Sequence, residues 1–241
     1  MNKSTKIALA ALAVALGFSS VSQADDRAWA WSPLGIGLAA PIQLPFMESD
    51  VYGLRFGGFL GYNNDVYGID AGIAEFCADS FAGLQASALS WTEGDAYGVQ
   101  CALFGNVVGS SAYGLQAGAI NVAWDDSYGI QLGLINYDVS FSGIQFSGII
   151  NWNNTPSCGL QASLINGNQD EFAGASIGAL VNYGERHRGF QCGLVNATYD
   201  MTGCQIGLFN ACDHMHGVQI GLLNLICESR VPLMVLMNAW F

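Results

Sequence analysis

From Gly53 to about Asn224, apolar positions alternate with glutamine or small residues, inside a unit that recurs every fourteen to sixteen residues. Its clearest form is Gly129-Ile130-Gln131-Leu132-Gly133-Leu134-Ile135-Asn136. The opening glycines fall at 53, 68, 83, 98, 114, 129, 143, 159, 174, 189, 203 and 217. Counting from that glycine as zero, position one is mostly Leu, Ile or Val, and positions three and five are mostly apolar. Position two is Gln in nine of the twelve copies, with Arg55, Asp70 and Ser176 in the others, and position four is always Gly, Ser or Ala. A period of two predicts one β-strand per copy, with an apolar face and a flat face of Gln and small residues. A fixed short period across twelve copies predicts a repeat architecture.

Fifteen residues can close one small coil of two short strands and two corners. Stacking such coils in parallel, about 4.8 Å apart, gives a rod of roughly 55 Å. The expected fold is therefore all-β: a β-solenoid of about twelve coils, its repeat domain spanning 51–226. The irregular, apolar stretch 25–50 is expected to cap its first coil, and 227–241 its last as a C-terminal strand. The competing architecture is an outer-membrane β-barrel of about fourteen strands, since strands of nine to eleven residues with short turns fit the same unit. The alternating, aromatic-ended Leu233, Val235, Met237, Ala239, Phe241 stretch resembles the sorting signal of such barrels. Against the barrel stand the lack of a thirty-residue rhythm, one directional motif for every strand, and seven cysteines.

In the solenoid the apolar face is expected to form one continuous core, whereas in the barrel Gln, Gly and Ser would line the lumen. Arg55 and Asp70 fall on the Gln face, which suggests that this face meets water. Gln85, Gln100, Gln116, Gln131, Gln145, Gln161, Gln191, Gln205 and Gln219 then form a candidate interaction face, with another protein, a glycan or a second copy as partner. The small residues at position four would allow such a partner close approach. The alternative is that Gln only fills a pleated face and bonds to its neighbours. A second column consists of Asn106, Asn121, Asn136, Asn151, Asn166, Asn182, Asn196, Asn210 and Asn224, each seven or eight residues after its glycine. In stacked coils these amides would align as a hydrogen-bonded ladder; otherwise they are separate turn residues.

The G-[LIV]-Q-x-G-L-[IV]-N unit, the lead-in Val51-Tyr52-Gly53-Leu54-Arg55 and the Pro232 to Phe241 ending resemble bacterial tandem-repeat surface proteins of that motif. The resemblance covers about residues 33–241 and implies a surface or outer-envelope location with no assigned chemistry. A weaker similarity, through Gln-x-Gly-x-x-Asn, is to curlin repeats, whose second Gln-rich half this chain lacks.

The N-terminus changes the cellular picture. Lys3 and Lys6, the apolar run Ile7 to Phe18 and Ser22-Gln23-Ala24 read as a secretory signal peptide over 1–24, too short to span a membrane. The product is expected to be exported to the outer membrane or cell surface, with periplasm the remaining destination. All lysines lie in that peptide, so five arginines then face nineteen acids. Such a surface repels phosphate and excludes nucleic acid as a partner. Seven exported cysteines invite disulfides; Cys212 and Cys227 occupy similar places in neighbouring copies and are the candidate bridge, against the reading of buried cysteine as a small apolar residue. His187, His214, His216, Asp213 and Cys212 are the residues a metal site would use, but the turns of His187 and His214 lie two coils apart, so no metal is expected. No nucleophile elbow, zinc helix or phosphate loop is present, and neither enzymatic activity nor a cofactor is expected. The expected role is structural or interactive in the envelope; a membrane barrel acting as pore or scaffold is the alternative.

Overall fold

The computed structural model describes residues 31–39, 42–45 and 49–241; the signal peptide expected over 1–24 lies outside the described residues. The chain is an all-β solenoid. Its strands are β1 (Trp31–Ala39), β2 (Ile42–Leu44), β3 (Asp50–Asn63), β4 (Val66–Ala71), β5 (Ala74–Cys77), β6 (Phe81–Thr92), β7 (Ala96–Val108), β8 (Ala112–Asn153), β9 (Ser157–Ile226) and β10 (Leu233–Trp240). β8 and β9 are 42 and 70 residues long because their corners stay extended, so each winds through several coils.

The repeat sets the register. Gly53 pairs with Gly68, Gly68 with Gly83, Gly83 with Gly98, Gly98 with Gly114 and Gly143 with Gly159, all in parallel. Tyr97, Tyr113 and Tyr128, each just before its glycine, stack face to face at 4.8 and 5.1 Å, about the spacing of neighbouring strands. At the ends the direction reverses: β2 runs antiparallel to β1, and β10 antiparallel to the last coil of β9. The strand order runs from β2 to β10 without closing. The barrel alternative therefore falls, because a membrane barrel is a closed antiparallel meander, whereas the repeats here pair in parallel.

All twelve opening glycines have φ between 114° and 150°, a region essentially restricted to glycine. They also touch: a Cβ at Gly129 would lie 2.0 Å from the carbonyl oxygen of Gly114. Backbone conformation and coil-on-coil contact both demand glycine at this one position.

The inside and outside are the reverse of the expected arrangement. Among the described residues, 35 polar or charged residues are buried against 15 hydrophobic ones, while 46 large apolar or aromatic residues are exposed. Position two points inward, including Arg55 and Asp70, at 2% and 0% exposure. Positions one and three point outward, with Leu84, Ile130, Leu132 and Ile220 exposed. In place of one continuous apolar core the described residues form three small clusters: Val66, Cys77 and Phe81; Ala96, Val108, Ala112 and Ala123; and Met201, Cys212, Met215 and Ile226, with Trp240 packed against the last. A stacked amide finds a partner one coil above or below, so burial leaves it satisfied. Alternation fixes only that two faces differ; it does not say which is inside.

Two substitutions two residues apart read out this inversion. Exchanging exposed Leu134 for Asn should move stability by no more than about 0.5 kcal/mol. Exchanging buried Asn136 for Leu strands two neighbouring amides and should cost about 2–4 kcal/mol. Thermal unfolding followed by circular dichroism checks both, and equal losses would contradict the assignment of faces.

Candidate functional site

The candidate residues form the interior of the rod. Asn106 Nδ2 donates to Asn121 Oδ1, and the pattern continues through Asn136, Asn151, Asn166, Asn182, Asn196 and Asn210 to Asn224 at 2.7–3.0 Å. The expected Asn ladder is thus a continuous column of nine. Most rungs also donate to a backbone carbonyl of the next coil, as Asn121 Nδ2 does to Leu132 O at 2.9 Å. The Gln column points its donors the other way. Gln100 donates to Gln85, Gln116 to Gln100, Gln131 to Gln116, Gln145 to Gln131 and Gln161 to Gln145, at 2.8–3.0 Å. Ser176 Oγ ends that run on Gln161 Oε1, and Gln191, Gln205 and Gln219 form a second run at 2.8 Å. All nine glutamines are at most 4% exposed. They therefore cannot be the interaction face expected of them: their amides already bond one another and are closed to a partner.

The small residue at position four has the same origin. A Cβ at Gly133 would lie 2.8 Å from Asn136 Oδ1, 2.8 Å from Gly118 O and 2.9 Å from Asn121 Nδ2. The space left by glycine is taken by the Asn ladder and the adjoining coil, not kept open for a ligand.

At the N-terminal end the Gln column becomes ionic. Arg55 Nε and Nη2 bond both carboxylate oxygens of Asp70 at 2.6 Å, and Nη2 lies 2.7 Å from Glu75 Oε2. Gln85 Nε2 joins this cluster to the ladder through Asp70 Oδ2 at 2.8 Å. Glu75 lies against Gly57, Gly61 and Gly72, where any Cβ would meet its carboxylate at 2.1 Å or less. Burial pushes the Glu75 carboxyl up to about 7, against the pull of Arg55. Further along, Asp138 accepts from Ser127 Oγ (2.6 Å), Gln131 Nε2 (2.8 Å) and Gln145 Nε2 (2.6 Å), yet burial raises it to about 7 as well. His187 is inside, stacked on Phe172 with ring centroids 5.4 Å apart, and burial lowers it to about 4.

The candidate bridge is corrected. Cys212 is buried and Cys227 exposed, neither is disulfide-bonded, and they face opposite sides of the coil wall. The two coils meet there through backbone, Cys227 N donating to Cys212 O at 3.0 Å. His187 is separated from the exterior His214, which lies 2.6 Å from Glu228 Oε2. Among the described residues no group of three His, Cys, Asp or Glu side chains is placed to share a metal.

With the interior filled, what remains for function is the exterior, which has two unlike edges. The chain turns after position four at an apolar corner bearing Leu103, Phe104, Leu134, Leu164, Leu194 and Phe209, all exposed. It turns again before the next glycine at an acidic corner. There lie Asp125 and Asp126, Asp170 and Glu171, and Glu185, with Arg186 paired to Asp170 and Arg188 to Glu171 at 3.2 Å. Sequence reasoning missed the apolar exterior. The signal available was the lack of charge over the first nine positions of the ten copies from Gly83 onward. Comparison with protein-family models, with curated proteins and with solved structures finds no match to this chain.

Gly133→Val should destabilise by about 3 kcal/mol or more, through the clash with two ladder amides; an unchanged unfolding midpoint would show that the space is free. The Asp138 carboxyl holds its proton in the fold up to about pH 7 but loses it near pH 4 when unfolded. Its contribution is therefore greatest below that unfolded value and is lost as pH rises through about 7. Asp138→Asn should gain on the parent between pH 5 and pH 8, by on the order of 3 kcal/mol. Glu75 and His187 are common to both proteins and cancel in the difference, so a pH-independent difference would contradict the reading.

Proposed function

We propose that the protein is a non-enzymatic, exported component of the bacterial envelope or cell surface, with a structural or interaction role carried by the outer wall of the rod. The observation that carries this reading is the division of labour among side chains. The buried amides are used in the Asn and Gln columns, and among the described residues the exterior offers 46 large apolar or aromatic residues. Soluble monomers expose apolar patches of a few hundred Å² at most without a partner, so a wall of this kind favours a role in contact with other matter. The N-terminal pattern of Lys3, Lys6, the apolar run and Ser22-Gln23-Ala24 supports export, and the repeat's resemblance to tandem-repeat surface proteins supports the envelope as destination. A pore role loses its support with the barrel, because the inner positions of the coils are occupied by side chains bonded to one another.

Fractionation of the bacterium that makes the protein, with N-terminal sequencing of the product, tests this reading. The expected product begins at Asp25, partitions with the envelope and is reached by protease added to whole cells or to spheroplasts. A product that keeps Met1 and stays in the cytoplasmic fraction would contradict it.

A further inference from the structure

We infer that the apolar corner and the outer wall beside it lie in the surface of a zwitterionic phospholipid bilayer, with the rod in the membrane plane and its acidic corner in water. This rests on reading the chain as an envelope protein and names the partner of its exterior.

The cross-section carries the argument. Among the described residues three acids are inside, Asp70, Glu75 and Asp138. The other thirteen all fall within five residues before an opening glycine or, for Glu228, at the equivalent place after the last copy. One corner thus collects all thirteen outward acids of the described residues, from nine of the twelve copies and the turn after the last. The opposite corner and the first strand leading to it carry no outward charge in any copy, because Arg55 and Asp70 turn inward. Strands of six or seven residues separate the corners by about 20 Å. Along a rod of roughly 55 Å, an apolar strip 10–15 Å wide covers about 500–800 Å², at or beyond the largest patch of an ordinary monomer.

The border between the two zones is marked separately. Tyr52, Tyr67, Tyr97, Tyr113 and Tyr128 stand immediately before their glycines, between the acidic corner and the apolar strand. Tyr52 stacks on Tyr67 at 4.9 Å, and Tyr97, Tyr113 and Tyr128 form a second stack. Tyr97 and Tyr128 turn their hydroxyls to Asp95 Oδ2 (3.1 Å) and Asp126 Oδ2 (3.3 Å). In the N-terminal half of the rod, these stacked rings between apolar strand and acids, two of them with hydroxyls on acids, match the preference of Tyr for the bilayer interface.

Three features favour lipid over a second copy of the chain. The apolar surface is convex: it passes from the first strand over the corner to Phe76, Trp91, Val107 and Val122 on the second strand. A flat partner covers one wall and leaves the others wet, whereas fluid acyl chains follow the contour. Coil-to-coil pairing satisfies the wall's backbone groups internally, which entry into hydrocarbon requires. Outward acids recur at this corner in both halves of the rod, before nine of the twelve opening glycines, so the apolar strip can enter lipid only sideways, as interfacial elements do. The acids also select the headgroup, since an anionic bilayer would repel the water-facing edge.

The test uses the protein as its host processes it, mixed with phosphatidylcholine vesicles and floated on a density gradient. The parent should float, and replacing a third of the lipid by phosphatidylglycerol should lower the bound fraction at low salt. Leu134→Glu, Leu164→Glu and Leu194→Glu together should weaken binding at least about tenfold, with the β-type circular dichroism retained; Asp126→Asn should not weaken it. A parent that stays unbound, or that sediments as a discrete dimer indifferent to lipid, overturns the inference, as does a folded triple variant that floats like the parent. Should the triple variant not fold, vesicles with brominated acyl chains decide on the parent alone: quenched tryptophan emission supports the inference, and unquenched emission overturns it. Envelope fractionation with no vesicle binding would sink the lipid assignment and leave the proposed function standing.

Discussion

A buried amide is stable only if every donor and acceptor finds a partner, and the fold follows from how that condition is met. Stacking a residue on its own copy about 4.8 Å away offers each amide the same partner at every level. One choice of side chain, repeated, satisfies the rungs between the column ends, as the asparagines from Asn106 to Asn224 do. It leaves only the terminal acceptors Asn106 Oδ1 and Gln219 Oε1 of the two columns without a partner. The cost of failure is what makes the period strict, because an orphaned buried donor or acceptor costs about 1–3 kcal/mol. The opening glycines hold neighbouring coils close, with Gly129 in contact with Gly114. The small residue at position four leaves room for the Asn amide beside it. Glycine, asparagine and glutamine thus belong to one geometric solution.

Where the amide columns are interrupted, the replacements keep to hydrogen-bond logic. Ser176 accepts the role of a rung with a hydroxyl, and Arg55 with Asp70 starts the Gln column as an ion pair. Asp138 stands between Ser127, Gln131 and Gln145, where three donors converge. These are the titratable points of an otherwise neutral interior, and their signs differ. Burial favours the protonated form of Glu75 and Asp138, and also the neutral form of His187. Raising the pH toward 7 therefore removes stability through the carboxyls, whereas lowering it below about 6.5 removes stability through the histidine.

Much of the fold was legible because the repeat is explicit. The period, the parallel stacking, the capping strands and the Asn column all follow from where Gly and Asn recur. The orientation of the wall was not legible. Alternation separates two faces without saying which turns inward, and the habit of placing Leu and Ile inside pointed the wrong way. Arg55 and Asp70 reinforced that error, since two charges on the Gln face read as a wet surface until their mutual bidentate contact is seen. Cys212 and Cys227 misled for a related reason: copies of fourteen, fifteen and sixteen residues shift the register, so that nearby positions can face opposite sides of one wall. The clue that pointed correctly was the confinement of charge to the stretch before each glycine.

The central claim is that the amides are inside and the aliphatic residues of positions one and three are outside. Hydrogen exchange of side-chain amides tests it most directly, using protein labelled with nitrogen-15 and followed by NMR after transfer to deuterated buffer. The account predicts that the side-chain NH₂ signals of the Asn column from Asn106 to Asn224, and of the nine column glutamines, persist on the timescale of global unfolding. Gln169, exposed at the acidic corner, should exchange at once. If the column amides exchange as fast as Gln169 while the fold remains intact, the inverted interior is wrong.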